Sequence, residues 1–383
     1  MSEENATAAA APVVEEDVNA LTPNNVTKYQ TAADIANRSL ANVLSAVADG
    51  VLVVDLCKVG DDAIVEISKT VYNKGKVNKG IAFPTTVSIN NIICHLSPLP
   101  GDQEAALVIK NGDLVRIELG AHVDGYIAQV AHTVVVGASK EAPVTGRQAD
   151  VLQAAYLASE AAIRLLKPGK TNYDVTEAVE KIVQDFDCNP IEGMLSHQIQ
   201  KDVLDGPKQI VLNPTEQQRK EIETFTFEEG QVYSIDILIS TGEGKPKTQE
   251  TRTTIFKRNA GLNYQLKMRT SRVVFSEVTS KFGNMAFSLR QFEDEKKARM
   301  GMIELANHNL VIPYNVLYEK EDAHVAHFMY TVLLMPNGPL KITSFPWSEE
   351  LVKSEKELKN EELKELLKQP VRASKKKNNK KTR

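Results

Sequence analysis

Leu114 to Val136 reads LVRIELGAHVDGYIAQVAHTVVV, and its pattern is that of a β-hairpin. From Leu114 to Leu119, Val115, Ile117 and Leu119 fall on one side, and Arg116 and Glu118 on the other. That is the period-two alternation of a strand with one apolar face. His122-Val123-Asp124-Gly125 supplies the turn, because an Asp-Gly pair accepts the positive φ of a tight hairpin. Tyr126 to Val136 returns as the second strand.

Working outward, helices are predicted on both sides of the hairpin. Thr22-Pro23 opens one, with Thr22 as N-cap and Pro23 in the first turn. Val26, Tyr29, Ala33, Ala36, Leu40, Val43 and Val47 follow at helical spacing until Asp49-Gly50 ends it. A second helix is predicted from about Asp61 to Tyr72. After the hairpin come helices at about 147–166 and 172–186, parted by Lys167-Pro168-Gly169, with Thr171 and Asp174 as a variant capping box. Gln231 to Ser240 is predicted as a strand, and Thr241 to Thr254 as a mobile loop punctuated by Gly242, Gly244 and Pro246. Val325 to Met335 is a last core strand, ended by Pro336-Asn337-Gly338. Ser354 to Lys368 is predicted as a charged helix. Helices and hairpins mix without strict βαβ alternation, so the fold class is α+β.

The 383 residues suffice for one large domain or two smaller ones. No apolar run approaches the roughly 18 residues of a membrane span. MSEENATAAAAPVVEEDV has neither the basic start nor the apolar core of a signal peptide, which points to cytosol or nucleus. Cys57, Cys94 and Cys188 are few and far apart and suit a reducing compartment. Residues 1–21 are expected to be a disordered acidic arm. A net charge of −4 hides a separation: Arg372 to Arg383 carries seven basic residues and no acid, and Lys257 to Arg299 has an excess of six, leaving −17 for the remainder. Two basic zones on an acidic body suggest a polyanionic partner.

Several sequence words carry a family resemblance. Gly80-Ile-Ala-Phe-Pro-Thr85, Asn90-Asn91 and His95-Leu-Ser-Pro98 resemble the substrate-pocket segment of type II methionine aminopeptidases (peptidase M24). Gly112-Asp113 through Thr133, Met194-Leu-Ser-His197, Val232-Tyr-Ser-Ile-Asp236 and Ala326 through Leu334 resemble the segments that carry that family's metal ligands. The likeness runs from about Thr22 to Lys341 and implies a pita-bread fold, two related α+β halves around a central site. It implies a pita-bread domain at 22–350 with a small helical, basic insert at about 257–309; composition adds 1–21 as arm and 351–383 as charged helix and disordered Lys-rich tail.

The enzymes so resembled are expected to hold two divalent metals with two aspartates, one histidine and two glutamates. Two such ions repel, and bridging carboxylates supply the offsetting charge and position the shared hydroxide. The corresponding positions here are Glu118, Gln129, His197, Asp236 and Met329. Both bridging positions, Gln129 and Met329, lack a charge, and a thioether is a poor ligand for a hard ion. Glu118, His197 and Asp236 read either as a leftover single-metal site or as an inherited polar cluster. A second histidine of the enzymes aligns with Asp205, whereas His95 of the substrate pocket persists as a vestige. No catalytic residue, cofactor or metal is therefore expected.

These departures narrow the resemblance to the proliferation-associated, ErbB-receptor-binding proteins and their curved-DNA-binding relatives. Gly193-Met-Leu-Ser-His197, Phe292-Glu-Asp-Glu-Lys-Lys-Ala-Arg-Met-Gly301, Val316-Leu-Tyr-Glu-Lys320 and Leu334-Met-Pro-Asn-Gly-Pro339 carry it, together with the Lys-rich tail. The resemblance implies a non-peptidase that binds structured RNA and the large ribosomal subunit, and the chain is expected to be a monomer. It further implies a place in ribosome biogenesis and in translation and growth control, in cytoplasm, nucleus and nucleolus. The candidate contacts are Lys267, Arg269 and Arg272 in the insert, with Tyr264 and Phe275 interleaved to stack or simply pack, and Lys375, Lys376, Lys377, Lys380 and Lys381 in the tail. Alternatives are a DNA-binding transcriptional co-regulator, for which Leu363-Lys-Glu-Leu366-Leu367 would be a protein-docking LxxLL word, and a metalloaminopeptidase with an atypical site.

Overall fold

A computed structural model describes residues 17–372. Among them, a nine-stranded sheet runs in the order Lys79–Ile89, Leu114–Val123, Tyr126–Val135, Val325–Met335, Val232–Ser240, Leu195–Gln198, Gln209–Val211, with two short strands appended. The central hairpin is as its alternation predicts: Val123 pairs with Tyr126 across Asp124 and Gly125, both at positive φ (55° and 80°). The two halves of the sheet meet through two register pairs only, Met329 with Ala131 and Tyr330 with Val130. On either side of those pairs, threonine hydroxyls take over from the backbone ladder. Thr133 accepts from the His327 N–H (2.8 Å) and donates to the His327 carbonyl (2.7 Å). Thr331 and Thr343 both donate to the Gln129 carbonyl, at 3.0 and 2.8 Å.

Each half buries one face of its strands under a helix pair. Pro23–Ala46 and Val53–Ser68 cover Ile117, Leu119 and Val130 with Ile35, Leu40, Leu56 and Ile64. Gly146–Leu165 and Asn172–Gln184 cover Ile235, Ile237, Phe328 and Tyr330 with Ala158, Ile163 and Val179. Because side chains alternate, Glu118, Gln129 and Met329 are left on the opposite face. Among the described residues, no helix is long and apolar enough to cross a membrane.

The segment from Ile255 to Tyr314 builds a three-stranded sheet (Ile255–Arg258, Ala286–Ser288, Val311–Tyr314) under the helices Arg269–Glu277 and Glu295–Asn307. Phe256, Val274, Phe287, Met302 and Leu305 form a core within it, and Ile255, Met285 and Ala286 on its other side pack with Phe83 and Ile127 of the main sheet.

Four expectations need correction. The second helix spans Val53–Ser68 rather than about 61–72. Asp61 does not open it, since its carboxylate accepts from the Thr85 N–H (2.8 Å) and pairs with Arg290 (2.7 Å). The stretch 241–254 is not free: Glu319 accepts from the Gly244 N–H (2.7 Å), and Lys247–Thr248 pairs with Leu317–Tyr318. The charged helix shortens to Glu361–Lys368, because residues 354–360 run as an extended strap whose Ser354 hydroxyl donates to Asp150 (2.6 Å) and whose Lys359 N–H donates to Asp185 (2.7 Å). Residues 17–21, read as the end of the acidic arm, pack on the body, where the Tyr126 hydroxyl donates to the Val18 carbonyl (2.8 Å). The rest of the arm, residues 1–16, and the tail lysines lie outside the described residues.

Candidate functional site

Strand register assembles the site. One transverse row crosses the sheet through Thr86, Glu118, Ala131, Met329 and Asp236, each paired with the next. Gln129 sits two residues from Ala131 on the same face, and His197 pairs with Ser234, two residues from Asp236. All five positions predicted from the sequence therefore line one cavity of about 270 Å³, together with His95 and Asp205. Phe83, His95 and Tyr314 form its aromatic wall, with ring centroids 5.2–6.0 Å apart. Gly120 lies opposite Gln129, and a Cβ there would meet the Gln129 side chain at 3.0 Å, so glycine leaves room for the amide to lie across the strand.

The charges are handled from within the protein. His327 shares the face of Met329, and its Nε2–H donates to Asp236 at 2.5 Å. Burial works against a charge on His327, but the Asp236 carboxylate outweighs it and raises the imidazole pKa. Glu118, buried and held only by a 3.4 Å bond from the Thr86 hydroxyl, is pushed up to about 7, chiefly by burial and further by Asp236, against the pull of His327. Burial lowers the pKa of His197, and its Nδ1 has no partner. Burial likewise lowers His95, whose Nδ1 lies 3.0 Å from the Asn315 carbonyl. Arg116, 2% exposed, donates to the carbonyls of Ile92, Ile93 and Val325, and burial lowers it to about 9. At the cavity mouth, Asp205 is paired with Lys257, which comes from the first strand of the insert; Ile312 and Tyr314 of its third strand complete the wall.

This donor set does not fit a pair of divalent ions. Gln129 and Met329 bring no charge to the bridging positions, and the Asp236 carboxylate already bonds an imidazole. Among the described residues, no group of three or more His, Cys, Asp or Glu side chains is placed to hold a metal ion. His327, Arg116 and Lys257 were not singled out from the sequence. For His327 the signal was present: in the strand Val325–Met335 it alternates onto the face of Met329.

Residues 27–263 match the metallopeptidase family M24. The chain belongs to metallopeptidase family M24. Within it, the chain is 46% identical to the ErbB-3 binding protein 1 of Solanum tuberosum over 366 residues, covering 94% of this chain and 92% of that protein. It is 43% identical to the curved DNA-binding protein of Schizosaccharomyces pombe, covering 93% and 92%. A solved thermophilic Arx1 superposes with a TM-score of 0.87 at 34% identity, covering 92% of this chain and all of that one. The M24 pita-bread fold and the kinship with the ErbB-binding and curved-DNA-binding proteins thus agree with the sequence words.

The basic insert of this M24 member is less free than its count of charges. Lys257, Arg290 and Arg299 are spent on Asp205, Asp61 and Asp102. Arg272 is exposed, yet its Nη1 donates to the carbonyls of Leu266 (3.0 Å) and Lys267 (2.9 Å). Lys267 and Arg269 are exposed and form no ion pair among the described residues. Phe275 packs into the insert core, and Tyr264 stacks on His308 with centroids 3.7 Å apart. Leu363 is buried, and Leu366 and Leu367 pack against the second-half core, so the LxxLL leucines face inward.

Proposed function

We propose that this chain is a non-peptidase M24 protein that binds structured RNA and the large ribosomal subunit and serves ribosome biogenesis and translation control. The observation that carries the reading is the altered donor set of the pocket: two bridging positions without charge, and Asp236 engaged by His327. A fold that does not assemble the two-metal hydroxide has no nucleophile for peptide hydrolysis of that type. What it offers instead is an exposed basic face at Lys267, Arg269 and Arg272 and a basic tail at Lys375, Lys376, Lys377, Lys380 and Lys381. Contacts of this kind neutralise phosphates and release counterions, which gives affinity that falls steeply with salt.

The test is co-sedimentation with large ribosomal subunits and binding to structured RNA across a salt series. Truncation after Gln369 combined with charge reversal at Lys267, Arg269 and Arg272 is expected to abolish the salt-sensitive component. Undiminished binding would overturn the reading, as would hydrolysis of Met-peptides with cobalt or manganese that His197→Ala removes. A second reading, duplex DNA as the polyanion, draws on the 43% identity to a curved DNA-binding protein. Competition between curved duplex and structured RNA at physiological salt separates the two.

A further inference from the structure

The strand Tyr126–Val135 that gives Gln129 to the pocket gives His132 to the other side of the sheet. There a second cavity of about 170 Å³ opens at the seam between the two halves. Val135, Val144 and Leu152 form its floor, and the segment carrying Phe345 and Trp347 forms its roof. This segment ties both halves together: the Ser344 N–H donates to Asn37 of the first helix (3.0 Å), and the Val144 N–H donates to Leu351 (2.9 Å). Trp347 is the only tryptophan of the chain and stacks on Tyr156 at 4.4 Å.

His132 lines this cavity and is 4% exposed. Its ring is wedged between Phe328 (5.2 Å) and Phe345 (4.9 Å). Burial pushes its pKa down to about 3, so it is the neutral imidazole, with one N–H to donate and one lone pair to accept. Among the described residues its ring makes no hydrogen bond: Nδ1 is walled in without a partner, and Nε2 is the ring nitrogen left to meet the cavity. An unpaired buried polar atom costs about 1–3 kcal/mol, and nothing in the packing around His132 requires a polar side chain. Phenylalanine would fill the same space among Phe328, Phe345 and Trp347 without that cost. A polar atom kept in an aromatic box next to an open volume is the arrangement of a small-molecule site, in which apolar walls hold the ligand and one polar group orients it.

We propose that this seam cavity binds a small planar aromatic molecule carrying one polar hydrogen-bonding atom, of the size of phenol, with His132 as its polar anchor. The volume suits one such ring, since a cavity of about 150 Å³ accepts benzene. A larger bicyclic or charged ligand finds neither the room nor a counter-charge, because the cavity walls bear no ionised side chain.

Phenol and toluene are the probes, and Trp347 emission, excited selectively, reports on the full-length chain. Phenol is expected to produce a saturable change, and to bind several-fold more tightly than toluene. Val144→Phe, which fills the cavity, should weaken phenol by about tenfold or more, the effect of losing about 1.4 kcal/mol. His132→Leu should keep toluene binding and erase the preference for phenol. No saturable change in the natural chain, or equal phenol binding by Val144→Phe, overturns the site. An unchanged preference in His132→Leu overturns the anchor, and a crystal structure soaked in phenol that shows only water in the cavity overturns both. Should Val144→Phe melt early, the His132→Leu comparison and the soaked crystal decide alone.

Discussion

In the pocket and on the insert the same kinds of side chain are put to opposite uses. The cations behind and beside the pocket are satisfied from inside: Arg116 by three carbonyls, His327 by Asp236, Lys257 by Asp205. On the insert, Lys267 and Arg269 stand exposed without an internal carboxylate among the described residues. A charge that has found its partner within the fold contributes to stability and is lost to chemistry. A charge without one costs the fold little and is available to a ligand. The difference separates two uses of charge in this M24 chain: around the pocket, cations and the carboxylate Asp236 are committed to one another or to strand carbonyls, and the cations on the rim are those left for the proposed partner.

The contrast breaks most visibly at Arg116. Arg116→Ala removes the side-chain donor to three carbonyls and opens a cavity beside the site, and a loss of about 3–5 kcal/mol is expected. Arg269→Ala on the insert is expected to change stability by less than about 0.5 kcal/mol. Urea titration of both variants is the measurement, and equal losses would erase the distinction.

Glu118 tests it through pH. Its folded pKa, about 7, lies above the ordinary 4.5, so the fold favours the protonated form. The contribution of Glu118 to stability is therefore fully present below about pH 4.5 and is lost as pH rises to about 7, where the buried group must ionise. Across 2.5 pH units the penalty amounts to about 3 kcal/mol. Glu118→Gln should be more stable than the natural chain by up to that amount at pH 8 and equal to it near pH 4.5. A variant that is less stable at pH 8 would show that Glu118 is held as a carboxylate.

On the insert the sign reverses, with little stability at stake and much binding. Lys267→Glu with Arg269→Glu is expected to weaken structured-RNA binding by about 10- to 100-fold at moderate salt and to flatten the salt slope by about two contacts. Thermal melting should move little. Unchanged binding with a lowered melting point would place these residues with Arg116 rather than against it.

Much of this division was legible in the sequence, and its limits have a physical cause. The hairpin at Leu114–Val136 and the strands around Tyr233 and Phe328 follow from local alternation, and their register then places Glu118, Gln129, Asp236 and Met329 in one cavity. Local pattern does not reveal partners from distant strands. Asp61 reads as a helix start, but its carboxylate is committed to Thr85 and Arg290. Lys257 counts as a free basic residue, but Asp205 neutralises it. His327 carries no periodic signature beyond its face, and only the register between its strand and that of Asp236 discloses the pair.

The smallest effect lies within the insert itself. Arg269 and Arg272 are neighbours on the helix Arg269–Glu277, both exposed and both counted as contacts for a polyanion. Only Arg272 also binds the chain, through two carbonyls at 3.0 and 2.9 Å that close the loop before the helix. Arg272→Ala should therefore cost about 1 kcal/mol of stability in addition to a share of RNA affinity, whereas Arg269→Ala should cost affinity alone. Arg272→Lys retains the charge, but its ammonium falls one bond short of the Nη1 that donates to both carbonyls, so it should recover binding while leaving most of the stability loss in place. Recovery of both by lysine would mean that the two carbonyl bonds add nothing and that Arg272 acts on the surface as Arg269 does.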